Sequence, residues 1–598
     1  MPLRALDVFD AQFEGLRRIG EITVSRPSDQ LEIDFEPGLL VLDLALTMTD
    51  GELCLGLASA DSHSAPIVEW PTVDHVVIEA TWWAIDEPTL REVRAALEGE
   101  SIQLGVPLAM NQLLWLVWHD YVDVDASVLS QISGNSNVSS RTREFDAGLL
   151  SATLYPYQVS GATYLTSIVE QGLGALLADE MGLGKTMQAL YVVSQLARAS
   201  KSTALIVVPA STLANWEREF AKFARDLTVT SHVGSRRTGD HRALSRFNVV
   251  LTTYETATRD QTMLQMIDWS VVILDEAQSI KNRDSRRSAA VKQLRTQAAI
   301  AITGTPIENS LTDLWSIFEF LAPDHLGSLT EFQSRFPDNE MAAEQLSRRV
   351  APLVIRRSVA SVATDLPERV DIVTPIYVDA QIARSYEDAR TTGHTAPLAL
   401  LTKLRQICAG SAGADDDLLV ASPKFARLRE ILEGLGSDGS KALIFSSFID
   451  SIDALAHSVR ELFPNMFVAT VDGRSSPAER QAIIDDFSAH VGASVLVLNP
   501  RAAGVGLNIQ AANYVIHFTP EWNPAIVAQA SARSHRRGQH KPVFVYYLYY
   551  VDTVEDVMMS RLDIKRRLQT AGLSSASDEP GQSDLIAALA ISPSGSFH

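Results

Sequence analysis

Two cysteines in 598 residues, Cys54 and Cys408, are too few and too far apart for a disulfide framework or a cysteine-based metal site. That usage fits a reducing compartment. Long apolar runs are also missing: the strongest, GLLVLDLALTM, is broken by Asp43 and is too short to span a bilayer. The opening residues MPLRALDVFDAQFEGLRRIG lack the apolar core of a secretory signal. A soluble, cytoplasmic protein is expected. Positive charge is scarce, with 51 Lys and Arg against 73 Asp and Glu, a net −22. This argues against a protein that coats nucleic acid generally, but it leaves room for a local basic track. Arg286-Arg287, Arg356-Arg357, Arg533-Arg536-Arg537 and Arg561-Lys565-Arg566-Arg567 are small clusters of that kind, each by itself a solvated face. No internal repeat of solenoid period is present.

What remains is an ordinary globular mix, 46% hydrophobic and 21% charged, enough for about three or four domains. In the first block LEIDFEPGLLVLDL alternates apolar and acidic residues and then meets Pro37-Gly38, the pattern of a half-buried strand ending in a turn. DHVVIEATWWAI reads as one further strand, and PTLREVRAALEGE and MNQLLWLVWHDYV as helices. This α+β block ends in the polar stretch SQISGNSNVSSRTREFDAG. Next come STALIVVP, FNVVLTTY, WSVVILDEA and AAIAITGT, and later KALIFSSF, MFVATVDG, ASVLVLNP, NYVIHFTP and VFVYYLYY. Short apolar runs closed by turn signals and separated by helical patterns are the signature of buried parallel strands. The expectation is two doubly wound α/β lobes with a cleft between them. The loop AGSAGADDD is expected to be exposed, and the tail SSASDEPGQSD mobile, with DLIAALAI able to dock as a short helix.

The chemistry begins at LLADEMGLGKTMQAL. A glycine turn between an apolar run and a helical pattern presents backbone N–H groups and a helix N-terminus to an anion. Gly182 and Gly184 shape the turn, Lys185 supplies charge for β/γ-phosphates and Thr186 a hydroxyl for Mg²⁺. The strict pattern places glycine where this chain has Asp179. VVILDEAQ puts Asp275 and Glu276 at the end of a buried strand, the edge where ligands bind in open α/β sheets. Asp275 is the candidate Mg²⁺ holder, and Glu276 the residue that orients or deprotonates water. In QASARSHRRGQ, Arg533 and Arg536 are three apart and share a face if that stretch is helical. They are candidate γ-phosphate arginines. Each motif alone has a bland explanation, but the three in order point to a nucleotide site.

At this density the chain resembles the Swi/Snf-type ATPases of helicase superfamily two over about residues 150–570. LYPYQVSGATYL resembles the adenine-recognition segment, with Gln158 as reader, and ADEMGLGKT the family's own phosphate loop, which carries Asp at position 179. VVPASTLANWEREF and LTTYET resemble first-lobe DNA-contact segments. DEAQSIKN, ITGTPIENSLTDLWSIFEFLAP, LVIRRSVASVATDLPER, LLTKLRQIC, IFSSF, VDGRSSPAER, GVGLNIQAANYVIHFTPEWNPA and QASARSHRRGQ follow in family order. The departures are Gln278 for His, Glu308 for Gln, Ala532 for Asp, Ala503 for Gly, and Pro500. Gln278 is expected to keep a hydrogen bond across the cleft.

The resemblance implies two RecA-like doubly wound parallel-sheet lobes plus an N-terminal α+β domain, with ATP and Mg²⁺ as cofactors. The expected boundaries are 1–148 (accessory domain), 149–360 (first lobe), 361–424 (inter-lobe helical segment), 425–572 (second lobe) and 573–598 (tail). Gln529 joins the nucleotide-binding set. Thr252, Thr253, Lys281, Asn282, Ser446, Arg474 and Asn508 are the implied DNA contacts. Trp315 and Trp522 are expected in core packing. The implied activity is DNA-stimulated ATP hydrolysis that drives translocation on double-stranded DNA and remodels or displaces bound complexes. A bacterial role in genome maintenance or defence against foreign DNA fits that activity. An ATP-controlled binding switch without sustained movement is the alternative. The N-terminal block, with Trp70, Trp82, Trp83, Trp115 and Trp118, reads either as a partner-binding or autoinhibitory module or as a structural appendage. Asp120, Asp123 and Asp125 read as a solvated loop.

Overall fold

The computed structural model describes residues 12, 18–19, 22–23, 34–49, 52–59, 67–71, 74–78, 81–122, 150–199, 203–307, 310–362, 366–392, 396–411, 416–435, 439–503, 509–536, 539–561 and 588–593. By internal contacts the chain divides into two units. One comprises Met1–Asp146 with Thr163–Gln171 and Gln345–Leu353, and the other holds the rest.

In the first unit β1 (Asp34–Leu40) pairs in parallel with β5 (Thr81–Ile85), which pairs antiparallel with β4 (His75–Ile78). β2 (Leu42–Thr49) and β3 (Glu52–Ser59) form a separate antiparallel pair. Two expectations are corrected here. Pro37-Gly38 does not end a strand. β1 continues through it, with a register break between Phe35 and Leu39, because a bulge tolerates a residue that cannot donate to the ladder. DHVVIEATWWAI is two antiparallel strands, not one. Helices α1 (Glu87–Gly99) and α2 (Met110–Trp118) lie where their patterns placed them. Trp82 is buried, 5.6 Å from Phe35 ring to ring. Asp120 is not merely solvated: it takes two hydrogen bonds from the buried Arg349, at 2.6 and 2.8 Å. Asp123 and Asp125 lie outside the described residues.

The second unit carries two parallel sheets. Helix α3 (Pro156–Glu170) leads into β6 (Gly174–Leu177), α4 (Lys185–Ala199), β7 (Ala204–Val208), α5 (Leu213–Phe223) and β8 (Val229–Ser231). Then come β9 (Val249–Thr253), α6 (Tyr254–Arg259), β10 (Trp269–Asp275), β11 (Thr296–Ile302) and β12 (Val354–Ile355). The strand order is β8-β9-β7-β10-β11-β6-β12, and every pairing is parallel. Ala204–Val208 and Val249–Thr253 are buried at every residue, as strands covered by helices on both faces must be.

The second sheet consists of β13 (Arg369–Ile376), β14 (Lys441–Phe445), β15 (Phe467–Val471), β16 (Ser494–Leu498), β17 (Tyr514–His517) and β18 (Val543–Tyr550). They lie in the order β13-β18-β17-β14-β16-β15, all parallel. These two doubly wound sheets and the N-terminal strands and helices give the expected fold class. The stretch expected as a separate inter-lobe segment packs differently. β13 is an edge of the second sheet, and Tyr386, Leu401, Leu404 and Cys408 share one core with Ile444, Ile516 and Leu548. Ala588, in the DLIAALAI stretch of the tail, is buried in the same core. Trp315 and Trp522 are buried, as expected of core aromatics.

Candidate nucleotide site

Strand β6 delivers the chain at the C-terminal edge of its sheet into the turn that opens α4. Gly182 (φ 91°) and Gly184 (φ 73°) adopt left-handed backbone, which costs glycine little and other residues more. A Cβ on Gly184 would come within 2.4 Å of Gln158 Nε2. Gln158 itself is buried; its amide donates to Leu183 O at 3.0 Å and accepts from Tyr155 N at 3.0 Å. The expected adenine reader therefore braces the loop from behind.

Asp179, the apparent defect of the loop, is fully buried. It accepts from Arg357 Nε at 2.9 Å, Arg357 Nη2 at 2.5 Å, Arg357 N at 3.1 Å and Gln188 Nε2 at 3.0 Å. Arg357 also donates to Gln188 Oε1 at 2.8 Å and to the Tyr157 carbonyl. Lys185 Nζ donates to Asp179 O at 2.7 Å. Burial lowers its pKa, and Glu276, Asp179 and Asp275 oppose that.

At the end of β10, Asp275 Oδ2 accepts from Trp216 Nε1 at 2.8 Å and Oδ1 from Glu276 N at 3.0 Å. Tyr254 Oη donates to Asp275 O at 2.8 Å. Burial, then the neighbouring Glu276 charge, raise the Asp275 pKa to about 7. Glu276 has φ 48° and ψ 56°, a left-handed conformation uncommon outside glycine. Gln278 Nε2 holds Glu276 Oε2 at 2.8 Å, and Thr303 Oγ1 donates to Gln278 Oε1 at 2.8 Å. The expected cross-cleft bond of Gln278 is corrected: these partners both belong to the first lobe. Gln529, from the second lobe, reaches Glu276 Oε1 at 3.4 Å instead.

Helix α7 (Pro524–Ser531) ends before Arg533 and Arg536, which lie in the turns that follow it. They do not share a helix face, yet both line the same cavity as Lys185. Burial first, then Arg536, lower the Arg533 pKa to about 10; burial also lowers that of Arg536, which Glu219 partly offsets. The cavity is about 210 Å³ and includes Gly182, Gly184, Thr186, Asp275, Glu276 and Gln529 in its lining. Three half-buried cations beside three carboxylates, counting Glu219, make a donor set for a polyanion with a divalent cation. Among the described residues no three His, Cys, Asp or Glu side chains form a metal cage. That suits Mg²⁺, which binds through one or two carboxylates together with phosphate oxygens. The residues present fit both groups.

Trp216 and Glu219 were missed as site residues. They come from the segment expected to contact DNA, and both line the cavity. Among the expected DNA contacts, Thr252 is buried and donates to His232 O at 2.9 Å, and Thr253 is the N-cap of α6. Ser446 is buried and donates to Ser451 Oγ at 2.9 Å. Arg474 is bound to Asp453 at 2.7 Å and Asp472 at 2.6 Å. Asn282 is exposed and Lys281 half-buried. These side chains do not form one surface cluster of free donors. Asn508 and Glu308 lie outside the described residues.

A family model for the SNF2-related domain matches residues 157–424, and one for the helicase conserved C-terminal domain matches 423–538. A Bacillus subtilis protein described as a putative ATP-dependent helicase/translocase is 33% identical, over 82% of this chain and 58% of its own. An uncharacterized ATP-dependent helicase of Mycoplasma pneumoniae is 31% identical, over 80% of this chain and 49% of its own. The chain thus spans about half the length of these curated relatives. A Sulfolobus solfataricus SWI2/SNF2 ATPase core in complex with dsDNA is 32% identical, covering 74% of this chain and 98% of that one at a TM-score of 0.39.

Proposed function

The chain belongs to the SNF2-related family of helicase superfamily two, and from that premise we propose that it is a DNA-stimulated ATPase that translocates on double-stranded DNA. The observation that carries this reading is that one cavity is lined by Lys185, Asp275 and Glu276 from the first lobe and by Arg533 and Arg536 from the second. The loop N–H groups, Gly182, Gly184 and Lys185 hold the phosphates of ATP, the substrate. Thr186 and Asp275 hold Mg²⁺, which supplies charge neutralisation at the phosphates when bound. Glu276, held by Gln278 and reached by Gln529, receives a proton from the attacking water or orients it. Arg533 and Arg536 stabilise charge on the transferring phosphoryl group. Because they come from the other lobe, turnover requires a closed cleft, which couples hydrolysis to lobe movement.

DNA binding on this reading runs through phosphates and is tolerant of sequence and sensitive to salt. Remodelling or displacement of DNA-bound complexes, in genome maintenance or in defence against foreign DNA, is the use such movement serves. The helicase/translocase description of the Bacillus relative supports the translocase reading. Duplex DNA should raise ATP hydrolysis well above the effect of single strands or RNA; stronger stimulation by RNA overturns the assignment. Displacement of a triplex-forming strand separates a translocase from an ATP-controlled switch, which would grip DNA without displacing the strand.

A further inference from the structure

We infer that Trp216 is a positioning residue for the Mg²⁺-holding carboxylate of Asp275; this rests on the ATPase reading above. Trp216 lies on α5 and is 1% exposed, with its ring centroid 6.1 Å from that of Phe220. Its indole N–H donates to Asp275 Oδ2 at 2.8 Å, and the other carboxylate oxygen accepts from Glu276 N at 3.0 Å. Both oxygens are thereby fixed, and each keeps lone-pair capacity for a further partner. An indole N–H can only donate. It therefore fixes the carboxylate plane without competing as a metal ligand and without bringing a charge. Tyr254, through its bond to the Asp275 carbonyl, fixes the backbone at the same residue. The carboxylate is thus held at a strand end by these donors while it lines the cavity. Outer-shell partners of this kind commonly change metal affinity about 10–100-fold when removed.

The test is binding of a fluorescent ADP analogue to the full-length protein, measured with Mg²⁺ and with EDTA. Trp216→Phe keeps the ring and loses the N–H. It should leave the EDTA affinity within about twofold of wild type while reducing the Mg²⁺-dependent gain about tenfold. In an Asp275→Asn background, Trp216→Phe should add less than about twofold, because its effect runs through that carboxylate. Equal losses with Mg²⁺ and EDTA, or an unchanged Mg²⁺ gain, overturn the proposal. Should Trp216→Phe fail to fold, benzothienylalanine at position 216 removes only the N–H and is judged by the same criteria. If the wild-type protein does not bind the ADP analogue at all, the nucleotide reading itself falls; if it binds ADP no better with Mg²⁺ than with EDTA, the proposal for Trp216 falls alone.

Discussion

Asp179 sits where a general phosphate loop has glycine, and its surroundings explain why the exchange works. A glycine there leaves room; this chain fills the room with a carboxylate that three Arg357 nitrogens and Gln188 satisfy. The phosphate loop is thereby tied to the segment that follows β12. Removing one member of a buried pair leaves the other charged and unpaired, which costs about 3–5 kcal/mol. Asp179→Ala should accordingly destabilise the first lobe by that order in urea unfolding and weaken ADP binding; a stable variant with normal binding would show that the loop does not depend on the pair. Arg474 offers a second residue-scale test. Its hydrogen bonds hold the Asp472 carboxyl below the usual carboxylate range. A depressed carboxylate contributes stability that is complete above its unfolded pKa, about 3.9, and lost as pH falls through the folded value. Arg474→Ala should shift the acid unfolding midpoint to higher pH, read by circular dichroism. An unchanged midpoint would mean that the pair has no stabilising role.

At the scale of elements, strands were legible and long-range partners were not. VVILDEA and STALIVVP are continuous apolar runs because parallel strands are buried on both faces, and the loop and carboxylate motifs sit at such strand ends. Trp216 lies 59 residues from Asp275 and Arg357 lies 178 from Asp179; no local period encodes those meetings. The arginines show the opposite error. Their spacing suggests a helical face, but α7 stops at Ser531, whose hydroxyl bonds back to Val527 O at 3.0 Å and to His517 Nε2 at 3.0 Å. Arg536 is held by the following turn, with its Cβ close to the space beside Gly182. Arg536→Ala should keep ADP affinity within a fewfold and reduce kcat by about 10³-fold or more, the scale on which such arginines act. A large loss of binding with normal kcat would assign it to ground-state affinity. Glu276→Gln should likewise retain nucleotide and lose turnover, since its amide cannot take a proton from water; near-normal kcat would remove Glu276 from that role.

At the scale of the whole molecule, the N-terminal block is not simply appended. Its unit includes Thr163–Gln171 and Gln345–Leu353, which lie far along the chain. Within that unit Arg349, 6% exposed, donates to Trp118 O at 2.9 Å and to both oxygens of Asp120, and its guanidinium lies 4.9 Å from the Trp118 ring. Met110 N donates to Gln171 Oε1 at 3.2 Å. A chain beginning at residue 149 strands Arg349 without these acceptors, and unsatisfied buried donors cost about 1–3 kcal/mol. It also removes most of the unit to which the buried Leu165, Ile168 and Leu346 belong. The shortened chain should melt several degrees lower, and Arg349→Met within it should recover part of the loss, because an apolar side chain has no donors to leave unpaired. If both shortened chains melt like the full-length protein, the block is dispensable for folding. Any rise in DNA-stimulated ATPase on shortening would then report released inhibition. If they melt lower as expected, regulation by the block must be tested in the full chain, where Asp120→Asn weakens the Arg349 contact without uncovering the apolar residues.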